Sequence, residues 1–147
     1  MDFIIGIDEA GRGPLAGPVS VGVFKAPKNK RSWLLKNIFQ NKLRDSKKLS
    51  PAERYTIYRT LSDLKKNQTI NFFVSHISNK IIDKIGISKA IQKGINKGLE
   101  KLEIKNYKSE ILSKTNGLKI VLDGLLKAPP EFKNQKTIIK GDEKDIF

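Results

Sequence analysis

One stretch near the start of the chain, residues 3–19, largely decides the fold; its sequence is FIIGIDEAGRGPLAGPV. Residues 3–7 are apolar, rich in β-branched side chains and followed by an acidic pair, which predicts a buried strand. Residues 19–24 have the sequence VSVGVF, in which valine recurs at every second position, and this alternation predicts a second strand. The glycines and prolines between these segments predict a loop. We therefore expect the chain to begin with two strands joined by a glycine- and proline-rich loop.

The rest of the chain predicts further strands and helices. Ser50 is a capping residue followed by Pro51 and, three positions on, by Glu53, which is a strong helix-start signature. Periodicity predicts helices over 33–39, 51–66, 78–85 and 87–102, strands over 69–77, 120–122 and 137–139, and a loop over 106–117. This order predicts one α/β domain over residues 1–147, with a mixed five-stranded sheet flanked by helices. Gly94 and Gly98 weaken the helical propensity of the amphipathic segment 87–102.

The charge balance favours a polyanionic partner. The chain has 147 residues, 29 Lys or Arg and 15 Asp or Glu, for a net charge of +14. Ten basic residues lie between positions 25 and 54, opposed only by Asp45 and Glu53, and such a cluster fits a phosphate-contacting face. A second reading, in which the bias toward Lys, Ile and Asn reflects base composition, stays open. Because no basic amphipathic stretch marks a membrane-surface helix, we expect nucleic acid and no membrane as the partner.

Composition also narrows the kinds of site. The chain has no cysteine and a single histidine, His76, which excludes thiolate and multi-histidine metal sites. A bound metal would then be held by carboxylates, which favours a hard ion such as Mg2+ or Mn2+. His76 itself is more typical of a structural or exposed residue than of a catalytic one.

Four acids stand at the ends of predicted strands: Asp8, Glu9, Asp123 and Asp142. In open α/β sheets, ligands bind beyond the carboxyl ends of the strands, so these acids converge if the first, fourth and fifth strands are parallel neighbours. Converging carboxylates repel one another, and divalent cations relieve that repulsion. Adjacent residues of a strand face opposite sides, so for Asp8 and Glu9 to meet one site the backbone must turn at Glu9, a turn that Gly11 and Gly13 make easy. The alternative, that strand-end acids are only turn residues, stays open.

Four motifs in order along the chain resemble the ribonuclease HII family, the type 2 ribonucleases H. Residues 7–19, IDEAGRGPLAGPV, resemble the family's first motif over their whole length. The later resemblances are DSKKLS at residues 45–50, LDG at residues 122–124 and KGD at residues 140–142.

The resemblance implies a ribonuclease H-like fold and a metal-dependent endonuclease, hence a hydrolase. Such an enzyme hydrolyses RNA in RNA–DNA hybrids, incises duplex DNA at embedded ribonucleotides, and takes part in DNA replication and repair. The resemblance also implies residue roles. Asp8, Glu9, Asp123 and Asp142 would be the catalytic acids that bind two Mn2+ or Mg2+ ions. Substrate would be bound by Gly11, Arg12, Gly13 and Lys47; for Arg12 the alternative is a surface ion pair with a nearby acid.

The resemblance is incomplete at the end of the chain. Members of the family continue after the fourth acid with further helices and a substrate-stacking tyrosine, so we expect residues 1–147 to be a truncated catalytic domain. Tyr55 and Tyr58 lie in other segments and are expected to be packing residues, as is Trp33. An alternative function is therefore an inactive remnant that only binds nucleic acid duplexes, and a basic RNA-binding structural protein is a third. We expect a cytoplasmic monomer unless the truncation drives association.

Overall fold

A computed structural model describes residues 2–14, 16–38, 46–104, 118–124 and 126–138. The strands are β1 (Phe3–Ala10), β2 (Val19–Pro27), β3 (Asn71–Ile77), β4 (Leu118–Asp123) and β5 (Gln135–Ile138). The α-helices are α1 (Arg31–Ile38), α2 (Pro51–Lys66), α3 (Asn79–Ile85) and α4 (Ile87–Lys101). Short 3₁₀ turns cover Lys28–Lys30 and Ser46–Lys48. The predicted α/β class is confirmed, while the predicted loop at 106–117 lies outside the described residues.

The strands form one mixed sheet in the order β3-β2-β1-β4-β5. β1 is antiparallel to β2, and β2 is antiparallel to β3. β1 is parallel to β4, and β4 is parallel to β5. The first, fourth and fifth strands are therefore parallel neighbours, which is the condition for their strand-end acids to converge, and their carboxyl ends lie at one edge of the sheet.

The two faces of the sheet are covered differently. The face that we call the helix face packs against α3 and α4 and forms the main core, which includes Ile5, Val21, Leu122, Ile95 and Leu99. These side chains are at most 1% exposed, so burial of apolar surface holds the helices on the sheet.

The opposite face, which we call the acid face, is covered at one end by α1 and α2. Ala26, Leu34 and Ile70 form a small buried cluster there, joined by the partly buried Phe24 and Phe72. This cluster lies beside the first residues of β1, because Ala26, one of its members, pairs with Ile4. The other end of the acid face, at the end of β1, carries the exposed Asp8.

α4 approaches the sheet closely because two of its contact residues are glycines. A Cβ atom at Gly94 would lie 2.7 Å from Cγ2 of Val21, and one at Gly98 would overlap Cγ2 of Val23. The glycines that weaken the helix in isolation therefore permit the packing of α4 on β2.

Three aromatic residues that are expected to pack remain partly exposed. Tyr55 and Tyr58 of α2 are 63% and 57% exposed. The ring of Tyr58 meets Phe72 edge-on at a centroid distance of 6.4 Å. Trp33 is 44% exposed, and the Nζ atom of Lys30 lies 6.0 Å from its ring centroid.

In the parts of the chain that the structure describes, no helix is both long and apolar enough to cross a membrane.

Candidate active site

Asp8 and Asp123 lie side by side on the acid face. In the parallel pairing of β1 with β4, Phe3 lies opposite Leu118 and Ile7 lies opposite Leu122. The residues that follow, Asp8 and Asp123, are therefore level with each other. Neighbouring strands are about 4.8 Å apart, and level residues of parallel strands point to the same face. Two carboxylates far apart in sequence are thereby brought together at the carboxyl ends of neighbouring strands.

Glu9 points away from this pair. β1 remains extended through Ala10, so the expected backbone turn at Glu9 does not occur, and the side chain emerges on the helix-face side. Its side chain is 14% exposed, and its Oε1 atom lies 3.5 Å from Nη1 of Arg12. Its backbone N–H donates to Oδ1 of Asp8 at 2.7 Å, which fixes the carboxylate of Asp8 relative to the strand. The ion pair considered for Arg12 from the sequence is therefore present.

The described carboxylates match the ligand chemistry of a hard divalent ion, although they do not complete a site. Asp8 and Asp123 offer oxygen atoms, which Mg2+ and Mn2+ favour. Among the residues that the structure describes, no group of three or more acids and histidines is close enough to hold a metal. Asp142, the fourth predicted acid, lies outside the described residues.

The glycine-rich loop begins directly after these acids. Gly11 has a φ of +90°, and a Cβ atom there would lie 2.7 Å from the carbonyl oxygen of Pro18. No other residue fits this combination of left-handed backbone and close approach without a shift. A Cβ atom at Gly13 would meet no atom of the described residues within 4 Å, and residues 10–14 are all exposed. The loop therefore presents backbone groups of Gly11, Arg12 and Gly13 to solvent beside Asp8.

Lys47 lies in the 3₁₀ turn Ser46–Lys48, directly before α2, and is exposed. The helix start that follows is the predicted one: the hydroxyl of Ser50 accepts from the N–H of Glu53 at 3.2 Å, and the N–H of Ser50 donates to the Glu53 carboxylate at 2.7 Å. Nη1 of Arg54 donates to the carbonyl oxygens of Ser46 at 3.1 Å and Leu49 at 2.5 Å. From the sequence, Arg54 is only one of the ten basic residues between positions 25 and 54, although its place one turn after a capping serine is a usable signal.

A cross-strand polar pair next to the acids was also missed. Ser20 and His76 are register partners on β2 and β3, and the hydroxyl of Ser20 lies 2.9 Å from Nδ1 of His76. Ser20 also pairs with Ala10, two residues beyond Asp8 on the same face. Strand alternation alone places Ser20 on the acid face, but only the strand order brings His76 beside it.

Comparison with known sequences gives the family. A model of the family described as Ribonuclease HII matches residues 5–145. A curated ribonuclease HII of Caldicellulosiruptor bescii is 34% identical over 142 residues, which cover 97% of this chain and 57% of that protein. The chain thus spans little more than half the length of this relative.

Comparison with solved structures supports the fold. Ribonuclease H2 of Pyrococcus horikoshii matches with a TM-score of 0.52 and 22% identity, over 97% of this chain and 64% of that one. Bst-RNase HIII, solved in complex with Mn2+, matches with a TM-score of 0.61 and 16% identity, over 95% of this chain and 46% of that one. At such identities the likeness concerns the fold, which is the expected ribonuclease H-like one. Because the family match extends over residues 5–145 and agrees with the fold, this chain belongs to the ribonuclease HII family.

Proposed function

We propose that this chain is the catalytic portion of a metal-dependent endonuclease that hydrolyses RNA in RNA–DNA hybrids and incises duplex DNA at embedded ribonucleotides. The observation that carries the proposal is the placement of Asp8 and Asp123 on one face, at the carboxyl ends of the parallel strands β1 and β4. An exposed glycine loop follows Asp8 directly, so a phosphate held by the loop lies next to the carboxylates.

The proposed metal ligands are Asp8, Asp123, Glu9 and Asp142. The geometry supports Asp8 and Asp123 most directly, because they share a face. Glu9 would have to reach past the end of β1, and this requires its contact with Arg12 to be exchanged for a metal. When bound, Mg2+ or Mn2+ ions would supply an activated water and stabilise the charge on the leaving oxygen.

The proposed substrate contacts use the loop and the turn before α2. Glycines let the backbone approach a sugar closely, and backbone N–H and C=O groups can test for a 2′-hydroxyl, the group that distinguishes RNA from DNA. Arg12 has a side chain that can donate to a phosphate in a two-pronged geometry. Lys47 is exposed and is followed by a second lysine, which suits contact with a phosphate on the substrate strand that Gly11, Arg12 and Gly13 would bind.

The alternative is a protein that binds such duplexes without cutting them. In support of it, ten basic residues lie between positions 25 and 54, and Lys and Arg side chains contact phosphates without needing a metal. Duplex binding through Lys and Arg contacts would then weaken steeply with salt, but no metal would promote cleavage.

One assay separates the two functions. The purified chain is incubated with a duplex containing a single ribonucleotide, with a continuous RNA–DNA hybrid, and with an all-DNA duplex of the same sequence. Each reaction contains Mn2+, Mg2+ or a chelator. We expect a cut in the first two substrates that depends on metal and is abolished by Asp8→Asn or Asp123→Asn, with duplex binding retained. Binding without any metal-dependent cut would establish the alternative.

A further inference from the structure

We propose that Arg54 is a positioning residue that holds the turn carrying Lys47 in the conformation used to contact a substrate phosphate. This inference rests on the proposed function, because it gives a structural basis to the proposed role of Lys47. Arg54 lies in the first turns of α2, and its own side chain need not touch the substrate.

The contacts of Arg54 enclose Lys47. Its Nη1 atom donates to the carbonyl oxygens of Ser46 and Leu49, at 3.1 Å and 2.5 Å, one on each side of the Lys47–Lys48 pair. The oxygen of Ser46 also accepts from the N–H of Leu49 at 3.3 Å, which closes the turn. A charged donor makes stronger hydrogen bonds to carbonyl oxygens than a neutral one, so both ends of the turn are tied to the helix.

The helix supplies a fixed base for these bonds. The capping box of Ser50 and Glu53 and the proline at the first helical position set where α2 begins. The N–H of Arg54 donates to the carbonyl of Ser50 at 3.0 Å, as in a regular helix. The backbone of Arg54 is therefore held by the helix, and its side chain extends back over the preceding turn.

This arrangement favours a positioning role over stability alone. The turn buries no side chain, since Ser46, Lys47 and Lys48 are all exposed. With no buried anchor among these three residues, the two hydrogen bonds from the Arg54 side chain to the carbonyl oxygens of Ser46 and Leu49 tie the turn to α2. A fixed turn lowers the ordering cost that Lys47 would otherwise incur when it binds a phosphate.

The test is a double-mutant cycle on duplex binding, measured with chelator so that no cleavage occurs. The variants are Lys47→Ala, Arg54→Met and their combination, with Arg59→Met as the control for losing one positive charge on an exposed position of the same helix. We expect Arg54→Met to weaken binding severalfold more than Arg59→Met does. The double variant should bind no more weakly than Lys47→Ala combined with Arg59→Met, because beyond the contact already lost Arg54→Met then removes only one positive charge. If Arg54→Met weakens binding in the Lys47→Ala background as much as it does in the wild type, the inference is overturned.

A second measurement is independent of nucleic acid. Site-specific trypsin cleavage after Lys47 and Lys48, followed by mass spectrometry, should be several times faster in Arg54→Met than in Arg59→Met. If the turn is freed but Lys47→Ala leaves binding unchanged, the phosphate role of Lys47 in the proposed function is wrong. If Lys47→Ala weakens binding but Arg54→Met neither frees the turn nor weakens binding, the positioning role is wrong and the proposed function stands. Circular dichroism checks the fold, and Arg54→Gln replaces Arg54→Met if the latter unfolds.

Discussion

Replacing Gly98 by alanine should destabilise the protein, although alanine is the better helix former. In an exposed helix interior, alanine is favoured over glycine by about 1 kcal/mol. At Gly98, however, the new Cβ atom would overlap Cγ2 of Val23 and lie 3.0 Å from its Cβ atom. Forcing an extra carbon into a packed core costs about 1–3 kcal/mol. Neither partner can withdraw easily, because Val23 is 1% exposed and lies on β2 between β1 and β3.

The overlap at Gly98 is the more severe of the two glycine contacts, so the cost should lie near the upper end of that range. Subtracting the gain in helix propensity leaves a net loss of about 2 kcal/mol in the free energy of unfolding. The assay is urea unfolding followed by far-UV circular dichroism. The propensity baseline comes from Lys97→Gly and Lys97→Ala at the exposed neighbouring position.

A compensating variant tests the physical cause. In the double variant Gly98→Ala with Val23→Ala, the new methyl group occupies space that the shorter side chain vacates. The double variant should therefore lose less free energy of unfolding than the two single variants lose together, by about 1 kcal/mol or more. Stabilisation by Gly98→Ala of the size found between glycine and alanine at position 97 would refute the packing argument.

Because Ser50 is part of the capping box of α2, Ser50→Ala should lower the free energy of unfolding by about 1 kcal/mol, as measured by urea unfolding. Ser62→Ala is the control, because Ser62 is partly exposed and lies away from that helix end, and it should change the free energy of unfolding little. Ser75 is 1% exposed and donates to the carbonyl of Gly94 at 3.1 Å, so Ser75→Ala should cost about 1 kcal/mol in the same assay; no loss would show that this bond adds nothing. Mn2+ at a hundredfold excess over its dissociation constant should stabilise the wild-type chain by about 2.7 kcal/mol in thermal unfolding. Asp8→Asn should abolish that gain, and an equal gain in the variant would remove Asp8 from the proposed ligand set.

Local signals in the sequence predicted the elements well where the interactions are themselves local. The helix beginning after Ser50 follows from a cap, a proline and a glutamate within four positions, and the structure has that cap and that start. The strands follow from period-two and apolar runs, though β1 and β2 extend three residues beyond their predicted ends. Those extra residues pair across the sheet, which no local pattern records.

Other expectations differ from the structure because contacts between segments distant in sequence decide them. The turn expected at Glu9 is absent because pairing with β2 keeps β1 extended to Ala10. Tyr55 is expected to pack but is 63% exposed, and the side chains of α2 that join the small buried cluster are Leu61 and Leu64. The glycines of α4 lower its helical propensity, but they also allow α4 to pack closely on β2, and that role follows only from the contact between the two elements.

Local sequence is enough to predict the motifs that mark the family, the alternation of strands and helices, and the side of each strand on which a residue lies. These follow from chain-local chemistry, because backbone geometry sets the period of side chains along a strand. The position of β4 beside β1, in a register that sets Asp123 level with Asp8, becomes known only from the folded chain. Strand order and register depend on how helices and strands distant in sequence bury their apolar faces together, and no single segment carries that information.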